Sequence, residues 1–486
     1  MVPLVILIAP LLGGVSSLLF KKDARVAWIS VAANAFVLAA SIWLAFHVVT
    51  RGVVSGAGGL LRVDALSAFM VIVIGAISLM ASWLGISTMA HEVESNPHQQ
   101  AHRATYGVLV QLFIFAMLLA VLAANVAVMW VAVEATTVVT TFLVGHHRTK
   151  GALEASWKYI VICSVGIALA FFGTVLVYLC ALRVGGHSAA ALNWTSLISV
   201  ARHLDPSVMR LGFGLVVLGY GTKVGLVPMH SWLPDAHSQA PAPISALMSG
   251  VLITVAFYAI LRFKAIVDLA VGPNFSRTLL VIVALLSLAL AASLLITQHD
   301  YKRMLAYHSI EHMGLIALGA AAGIPLAIAA VLLHILGHGL AKSILFLASG
   351  EIMAAEGTTE ISEVHALLER RPVLGGVFGV GLIALLGLPP FSLFSSELLM
   401  ARAEFQVGLG WAAIASIVAM VVIFFAVVGH ARHMLLGSNI SNEVLNRPPN
   451  WVSGPLVSGL VILALIGVLA WPLSSLLNAA AHVVTT

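Results

Sequence analysis

Charge is what this 486-residue sequence has least of: Asp, Glu, Lys and Arg make up 9% of it against 61% hydrophobic residues, and the mean hydropathy is +1.07. That balance excludes a soluble globular protein and predicts a polytopic membrane protein, all-α in class. Cysteine is nearly missing. Cys163 and Cys180 share one apolar stretch, where a helix would hold them about 25 Å apart at ~1.5 Å per residue, so neither a mutual disulfide nor a cysteine metal cluster is expected. Long polar segments are absent too, which leaves no room for a nucleotide fold, an iron–sulfur domain or a flavin, haem or nickel site; no cofactor is expected. The net charge of +5 is spread one to three residues at a time through short loops, the pattern of topology signals rather than of a nucleic-acid surface. No basic residue precedes the apolar run MVPLVILIAPLLGGVSSLLF, which reads as a first spanning helix, not as a cleaved signal.

At about 20 apolar residues per span, the sequence predicts fourteen transmembrane helices. They lie near 3–20, 26–49, 64–89, 105–123, 125–145, 156–182, 208–228, 241–262, 278–297, 303–323, 325–349, 373–401, 410–435 and 453–477. Of the 24 lysines and arginines, thirteen fall in odd-numbered loops, nine in even-numbered loops (Arg262 and Lys264 among them), and two, Lys223 and Lys342, inside spans. The bias places odd loops inside and both termini outside.

Two spans contain a helix breaker beside an ionisable residue. Gly225-Leu226-Val227-Pro228 follows Lys223 in span 7, and Gly387-Leu388-Pro389-Pro390 precedes Glu397 in span 12. Five spans separate the two, and an odd offset reverses orientation in the membrane. Spans 4–8 and 9–13 therefore read as inverted repeats with broken spans 7 and 12. Glu134 and Glu311, each about eight residues into spans 5 and 10, agree with that alignment. The predicted organisation is a three-helix segment (1–104), a first repeat (105–262), a second repeat (263–435) and a C-terminal helix (436–486).

A carboxylate or ammonium at mid-helix costs roughly 2.5–3.5 kcal/mol in insertion measurements, so intramembrane ionisable residues mark transport sites. Glu134 in span 5 is expected to pair directly with Lys223. Span 11 carries His334, His338 and Lys342 at successive spacings of four, one stripe along the helix. Imidazole accepts and donates protons near neutral pH, so the stripe suits a proton relay. An HxxxH zinc pair is the competing reading, but no Asp, Glu or Cys nearby on that helix completes it and Lys342 would repel a cation; no metal is expected. His308 and His312 share a face of span 10, while Lys302 and Arg303 read as interfacial anchors. Glu397 is the last buried acid, with Ser392, Ser395 and Ser396 able to order water around it. After Pro228, His230, Asp235 and His237 are placed at a water entrance, with Asp235 alternatively capping the next helix.

The run TKVGLVPMHSWLPDAHSQAPAPISALMSGVL resembles the signature of the antiporter-like proton-translocating membrane subunits of respiratory complex I, cation/proton antiporters and energy-conserving hydrogenases. AYHSIEHMGLIALG, LLHILGHGLAKSILFLASG and GLPPFSLFSSELLMARAEF extend the resemblance over roughly spans 3 to 13. The EATT and WKYIVICSVGIALAFFGT segments are most similar to hydrogenase-4 component F. The resemblance implies that Glu134 and Lys223 are the family's glutamate and lysine of spans 5 and 7. It makes His312 a polar position of span 10, His338 and Lys342 the pair of span 11, and Glu397 the ionisable residue of span 12. Complex I relatives often carry a lysine in span 8 where this chain has Thr254, so the link between half-channels must run differently, through water or the span-11 histidines. The long lateral helix of the largest complex I relative is not expected.

Together these readings predict a non-redox, multi-pass subunit in the cytoplasmic membrane of a prokaryote. It would move protons through Glu134, Lys223, His308, His312, His334, His338, Lys342 and Glu397, within a redox-driven complex of the hydrogenase-4, formate hydrogenlyase or complex I type. Its partners would be other antiporter-like subunits and those anchoring a quinone or hydrogenase module. The alternatives are a subunit of a multi-subunit sodium/proton antiporter, a proton-coupled partner of an inorganic-carbon uptake protein, and a purely structural spacer.

Overall fold

The computed structural model describes residues 2–19, 26–95, 103–185, 189–437, 450–469 and 471–485. The topology charges Lys21, Lys22, Arg25 and Arg447 lie outside the described residues. The chain is a bundle of apolar helices. The first are α1 (Val2–Leu19), α2 (Val26–Arg51), α3 (Ala65–Ser95), α4 (Arg103–Leu122), α5 (Val126–Val144) and α6 (Lys150–Arg183). A short helix α7 (Trp194–Val200) leads to α8 (Pro206–Val224), α9 (Trp232–Gln239), α10 (Ala242–Leu247) and α11 (Ile253–Val271). Then follow α12 (Pro273–Leu295), α13 (Tyr301–Ala322), α14 (Pro325–Glu356), α15 (Leu367–Arg370), α16 (Pro372–Leu385) and α17 (Ser392–Gln406). The last are α18 (Gly410–Leu435), α19 (Asn450–Val468) and α20 (Trp471–Thr485). A small antiparallel hairpin, β1 (Val54–Gly56) with β2 (Leu61–Val63), joins α2 to α3, an addition to the all-helical expectation.

Eleven helical segments among the described residues are long and apolar enough to cross a membrane. The three remaining predicted spans correspond to α8 with α9, to α13, and to α16 with α17, where breaks or polar residues lower the hydropathy. Helix starts follow the polar residues the sequence provides. Asn125 accepts from the backbone N–H groups of Ala127 and Val128 at the start of α5, and Asp300 from that of Arg303 at the start of α13. Pro206, Pro273, Pro325 and Pro372 each open a helix, where a missing N–H costs nothing.

Both predicted breaks are present. α8 ends at Gly225 with φ +86°, and α16 gives way at Gly387 with φ +65°, left-handed backbone that glycine adopts without a Cβ clash. Each break also contains a cis X-Pro bond, Val227–Pro228 and Pro389–Pro390. Between α10 and α11, residues Met248–Leu252 form a π-helical turn.

Four sequence expectations change here. Arg262 and Lys264 are not loop charges: both are buried within α11. Arg262 grips Asp64 at the start of α3 with two bonds of 2.6 Å, an ion pair strong enough to place a guanidinium inside the bundle. Lys264 pairs with Asp268 one turn along the same helix. Lys158, one of the thirteen charges assigned to odd-numbered loops, stands on α6 and not in a loop, because the Thr149 side chain caps that helix earlier than hydropathy alone suggests. Finally, the C-terminal segment is two helices, α19 and α20, where a single span was expected.

Candidate functional site

The first cluster gathers on α5, α6 and α8. A Cβ at Gly219 would strike the backbone of α6 at Gly166 and Ala170, so these two helices meet nearly backbone to backbone. One turn later that closeness sets Lys223, fully buried, over the α6 side chains. Its ammonium donates to Thr137 Oγ1 and to Tyr159 Oη, each at 2.7 Å. Thr137 Oγ1 in turn donates to Glu134 Oε2 at 3.2 Å, and Ser164 Oγ to Glu134 Oε1 at 3.4 Å. Glu134 and Lys223 are therefore joined through a hydroxyl, not as the direct pair expected. The reason is helical spacing: Thr137 lies three residues after Glu134 on the same face and sits between the two charges.

Past the break, the expected entrance residues divide. Asp235 is at the surface, where it accepts from Lys158 at 3.0 Å and pairs with Arg303 at 3.1 Å, tying α9 to α6 and α13. His230 is half-buried. His237 is not at an entrance: it is fully buried, its ring 6.0 Å from that of Trp232 and 5.6 Å from that of Phe346, with no hydrogen bond to either ring nitrogen among the described residues. Two positions apart on α9, Asp235 and His237 lie on nearly opposite faces, about 200° apart, which turns one outward and the other into the core. Lys302 also departs from expectation. It is buried and donates to the Ala240 carbonyl at 2.9 Å, satisfying the end of α9 instead of anchoring at the interface.

The second cluster lies where α13, α14 and α17 meet. His312 Nδ1 and His334 Nε2 are 3.0 Å apart, and His334 Nδ1 is 2.9 Å from Ser396 Oγ. The His312 ring also stands 5.0 Å from that of His338 and is stacked at 5.9 Å on that of His308. His308 Nδ1 reaches Glu311 Oε2 at 2.5 Å, an ion-pair contact. Lys342, fully buried, donates to the Leu305 carbonyl and lies 5.9 Å from the Phe346 ring centroid. The predicted stripe thus becomes a knot across three helices rather than a line along one. Of the three serines expected around Glu397, only Ser396 joins this knot; Ser395 donates to the Gly467 carbonyl. Glu397 itself packs against the break, where a Cβ on Gly387 would collide with its carboxylate.

Thr254 returns its hydroxyl to its own helix, donating to the Val251 carbonyl at 2.8 Å beside the π-turn. It therefore offers no proton to a neighbour. His237, set between the Trp232–Tyr159 edge of the first cluster and the Phe346–Lys342 edge of the second, is the ionisable group lying between them.

Ligand atoms of His312, His334 and Glu397 come within 4.8 Å of one another, as do those of His308, Glu311 and His312. α14 alone could not have shown this, since the carboxylates arrive from α13 and α17. The donor set still suits proton sharing better than a cation: both His334 nitrogens already face partners, and a lysine lies among the histidines. Sequence reasoning left Glu311, Thr137, Tyr159 and Ser164 out of the site. Glu311 had a signal in its repeat alignment with Glu134, whereas a hydroxyl in an apolar helix carries none.

A membrane bundle with two glycine–proline helix breaks, each next to a buried ionisable cluster, has the fold of antiporter-like membrane subunits. The chain superposes on a subunit of the membrane-bound sulfane sulfur reductase (MBS), an archaeal respiratory membrane complex, with a TM-score of 0.88 at 24% identity, covering 100% of this chain and 98% of that one. For the Mrp complex from Dietzia sp. DQ12-45-1b the TM-score is 0.86 at 20% identity, covering 100% and 97%. Residues 123–423 match the family described as NADH:quinone oxidoreductase/Mrp antiporter, TM, and the chain belongs to that family. Among known proteins it is 41% identical over 348 residues to the hydrogenase-4 component F homolog of Methylacidiphilum infernorum (isolate V4), covering 72% of this chain and 73% of the relative. It is 29% identical over 349 residues to hydrogenase-4 component B of Escherichia coli (strain K12), covering 69% of this chain and 50% of that longer protein.

Proposed function

We propose that this chain is the proton-translocating, non-redox membrane subunit of a redox-driven complex of the hydrogenase-4 type, in a prokaryotic cytoplasmic membrane with both termini outside. Fourteen spans in two inverted five-helix repeats, 105–262 and 263–435, would form its half-channels, flanked by the 1–104 segment and the C-terminal helices. The observation that carries this reading is the succession of proton-exchanging groups between the two breaks, buried through its middle and partly exposed at Glu134 and Glu397. It comprises Glu134, Thr137 and Lys223, then His237, then Lys342, His338, His312 and His334, ending at Ser396 and Glu397. Such groups are too costly in lipid to serve a spacer.

In this mechanism, redox chemistry in partner subunits changes the distance between Glu134 and Lys223. When Glu134 moves away, the ammonium loses its compensating charge and gives up its proton. His237 takes it across the gap that Thr254 cannot bridge. The histidine knot, with His308 and Glu311 at its side, passes the proton to Glu397 beside the second break. His230 and Asp235 border the refilling path. Identity to a hydrogenase-4 component F homolog supports a hydrogenase or NADH-dehydrogenase type of complex over the alternatives.

Inside-out membrane vesicles from the host, energised in turn with hydrogen, formate and NADH, would reveal the driving donor by quenching of a ΔpH dye. Lys223→Ala should abolish the part of the quench due to this subunit while leaving donor oxidation measurable. Full pumping in that variant would remove the mechanism. A quench released by sodium without any donor would instead identify an antiporter subunit of the sodium/proton type.

A further inference from the structure

Beyond Glu397 the proton still has to leave the bundle, and α17 carries one further buried acid. Glu404 follows Glu397 by seven residues, which places the two within about 20° on one helical face and about 10.5 Å apart along the axis. Glu404 is 3% exposed as a residue and its carboxylate makes no hydrogen bond or ion pair among the described residues; its oxygens are not among the fully buried atoms, so they keep a narrow contact with the surface. Its backbone does the structural work at this helix end: the Glu404 carbonyl accepts from the N–H of Leu409 at 2.9 Å and of Val407 at 3.3 Å. A carboxylate this enclosed, with no protein partner, is costly and returns nothing to the fold unless water reaches it.

Its surroundings make the position more specific. α17 packs against α13, α14, α16, α18 and α19. On the Glu404 side of the histidine knot, α13 beyond His312 and α14 before His334 contain no ionisable residue, and neither does α18 before His430. α16 and α19 contain none along their whole length. On α17 the other charge past Glu397 is Arg402, which is exposed. Small side chains border the acid: Ala403 beside it packs with Ala322 and Ala327.

We infer that Glu404 is the terminal carboxylate of the exit path, receiving the proton from Glu397 through ordered water and releasing it at the loop between α17 and α18. This rests on the proton-translocating reading above. The transfer needs no covalent step: Glu397 loses a proton to water, Glu404 gains one, and bulk solvent takes it.

The test uses the whole complex in vesicles energised by the donor identified above, with three Glu404 variants and Lys223→Ala beside the parent. Glu404→Gln should leave assembly and donor oxidation intact but slow proton release by about tenfold or more, a usual effect of removing a proton-transfer group. Glu404→Asp should recover most of the rate. In Glu404→Ala, acetate supplied on the release side should restore pumping, because a small weak acid replaces the missing carrier; a packing defect gives no such rescue. Full-rate pumping by Glu404→Gln overturns the inference, as does a slow Glu404→Ala that acetate cannot restore. Lys223→Ala separates the two readings: if it pumps normally the translocation reading itself falls, whereas if it is inactive and Glu404→Gln is not slowed, only the role of Glu404 falls.

Discussion

Glu134 and Lys223 were both legible as intramembrane charges, but the element that connects them, the Thr137 hydroxyl, was not. A threonine in an apolar helix usually satisfies its own backbone, as Thr136 and Thr140 do here with the carbonyls of Val133 and Thr136. Only the approach of α8 makes Thr137 different. Because it holds the lysine on one side and the carboxylate on the other, Thr137→Val should slow proton pumping by about tenfold or more. Thr137→Ser should remain near the parent rate. The initial rate of ΔpH formation per electron donor consumed decides it, and an unimpaired valine variant would mean the hydroxyl bridge is not used. His237 shows the same limit in another form. Its neighbours in sequence, His230 and Asp235, suggested a wet entrance, but the turn of α9 buries it between Trp232 and Phe346.

At the scale of elements, the broken spans were readable because glycine and proline interrupt an apolar run in few other ways. What the break accomplishes was not readable. At the second break, the missing Cβ of Gly387 leaves the space that the Glu397 carboxylate occupies. Gly387→Ala would add a left-handed backbone penalty of roughly 1–2 kcal/mol and press the carboxylate away from His312 and His334. The variant should melt a few degrees lower and pump poorly. Adding Glu397→Asp, which withdraws the carboxylate by one methylene, should return part of the pumping. A Gly387→Ala complex with parental melting and pumping would show that the break tolerates a side chain. His334, His338 and Lys342 lie buried along α14 as their spacing suggests, but α13 and α17 close the histidines into a knot, and no periodicity within one helix contains that information.

Across the whole molecule, the first helices are fastened to the rest of the bundle by charge. Asp64 at the start of α3 holds Arg262 of α11, with Ser67 and Tyr258 completing the contacts at 2.9 and 3.0 Å. Removing one partner of such a pair typically costs about 3–5 kcal/mol, since the other charge is left buried. Asp64→Ala should therefore lower the unfolding midpoint of the detergent-solubilised protein markedly, while the double change Asp64→Ala with Arg262→Met should cost less. Equal losses in both would show that the pair is not coupled. Hydropathy had assigned Arg262 and Lys264 to a loop, because a run of apolar residues ends at the first charges whether or not a partner waits for them. The sequence by itself determined the membrane class, the approximate spans, the two breaks and the intramembrane placing of Lys223, His308, His312, His334, His338 and Lys342. Each of these follows from local chemistry, from what lipid excludes and what glycine and proline permit. The tertiary structure alone decided which of those residues meet: the Thr137 bridge, the inward turn of His237, the knot around His312, and the unpartnered Glu404 beyond Glu397. Contacts between helices depend on how closely their backbones approach and how each is rotated, and those quantities are set by the packing of the whole bundle.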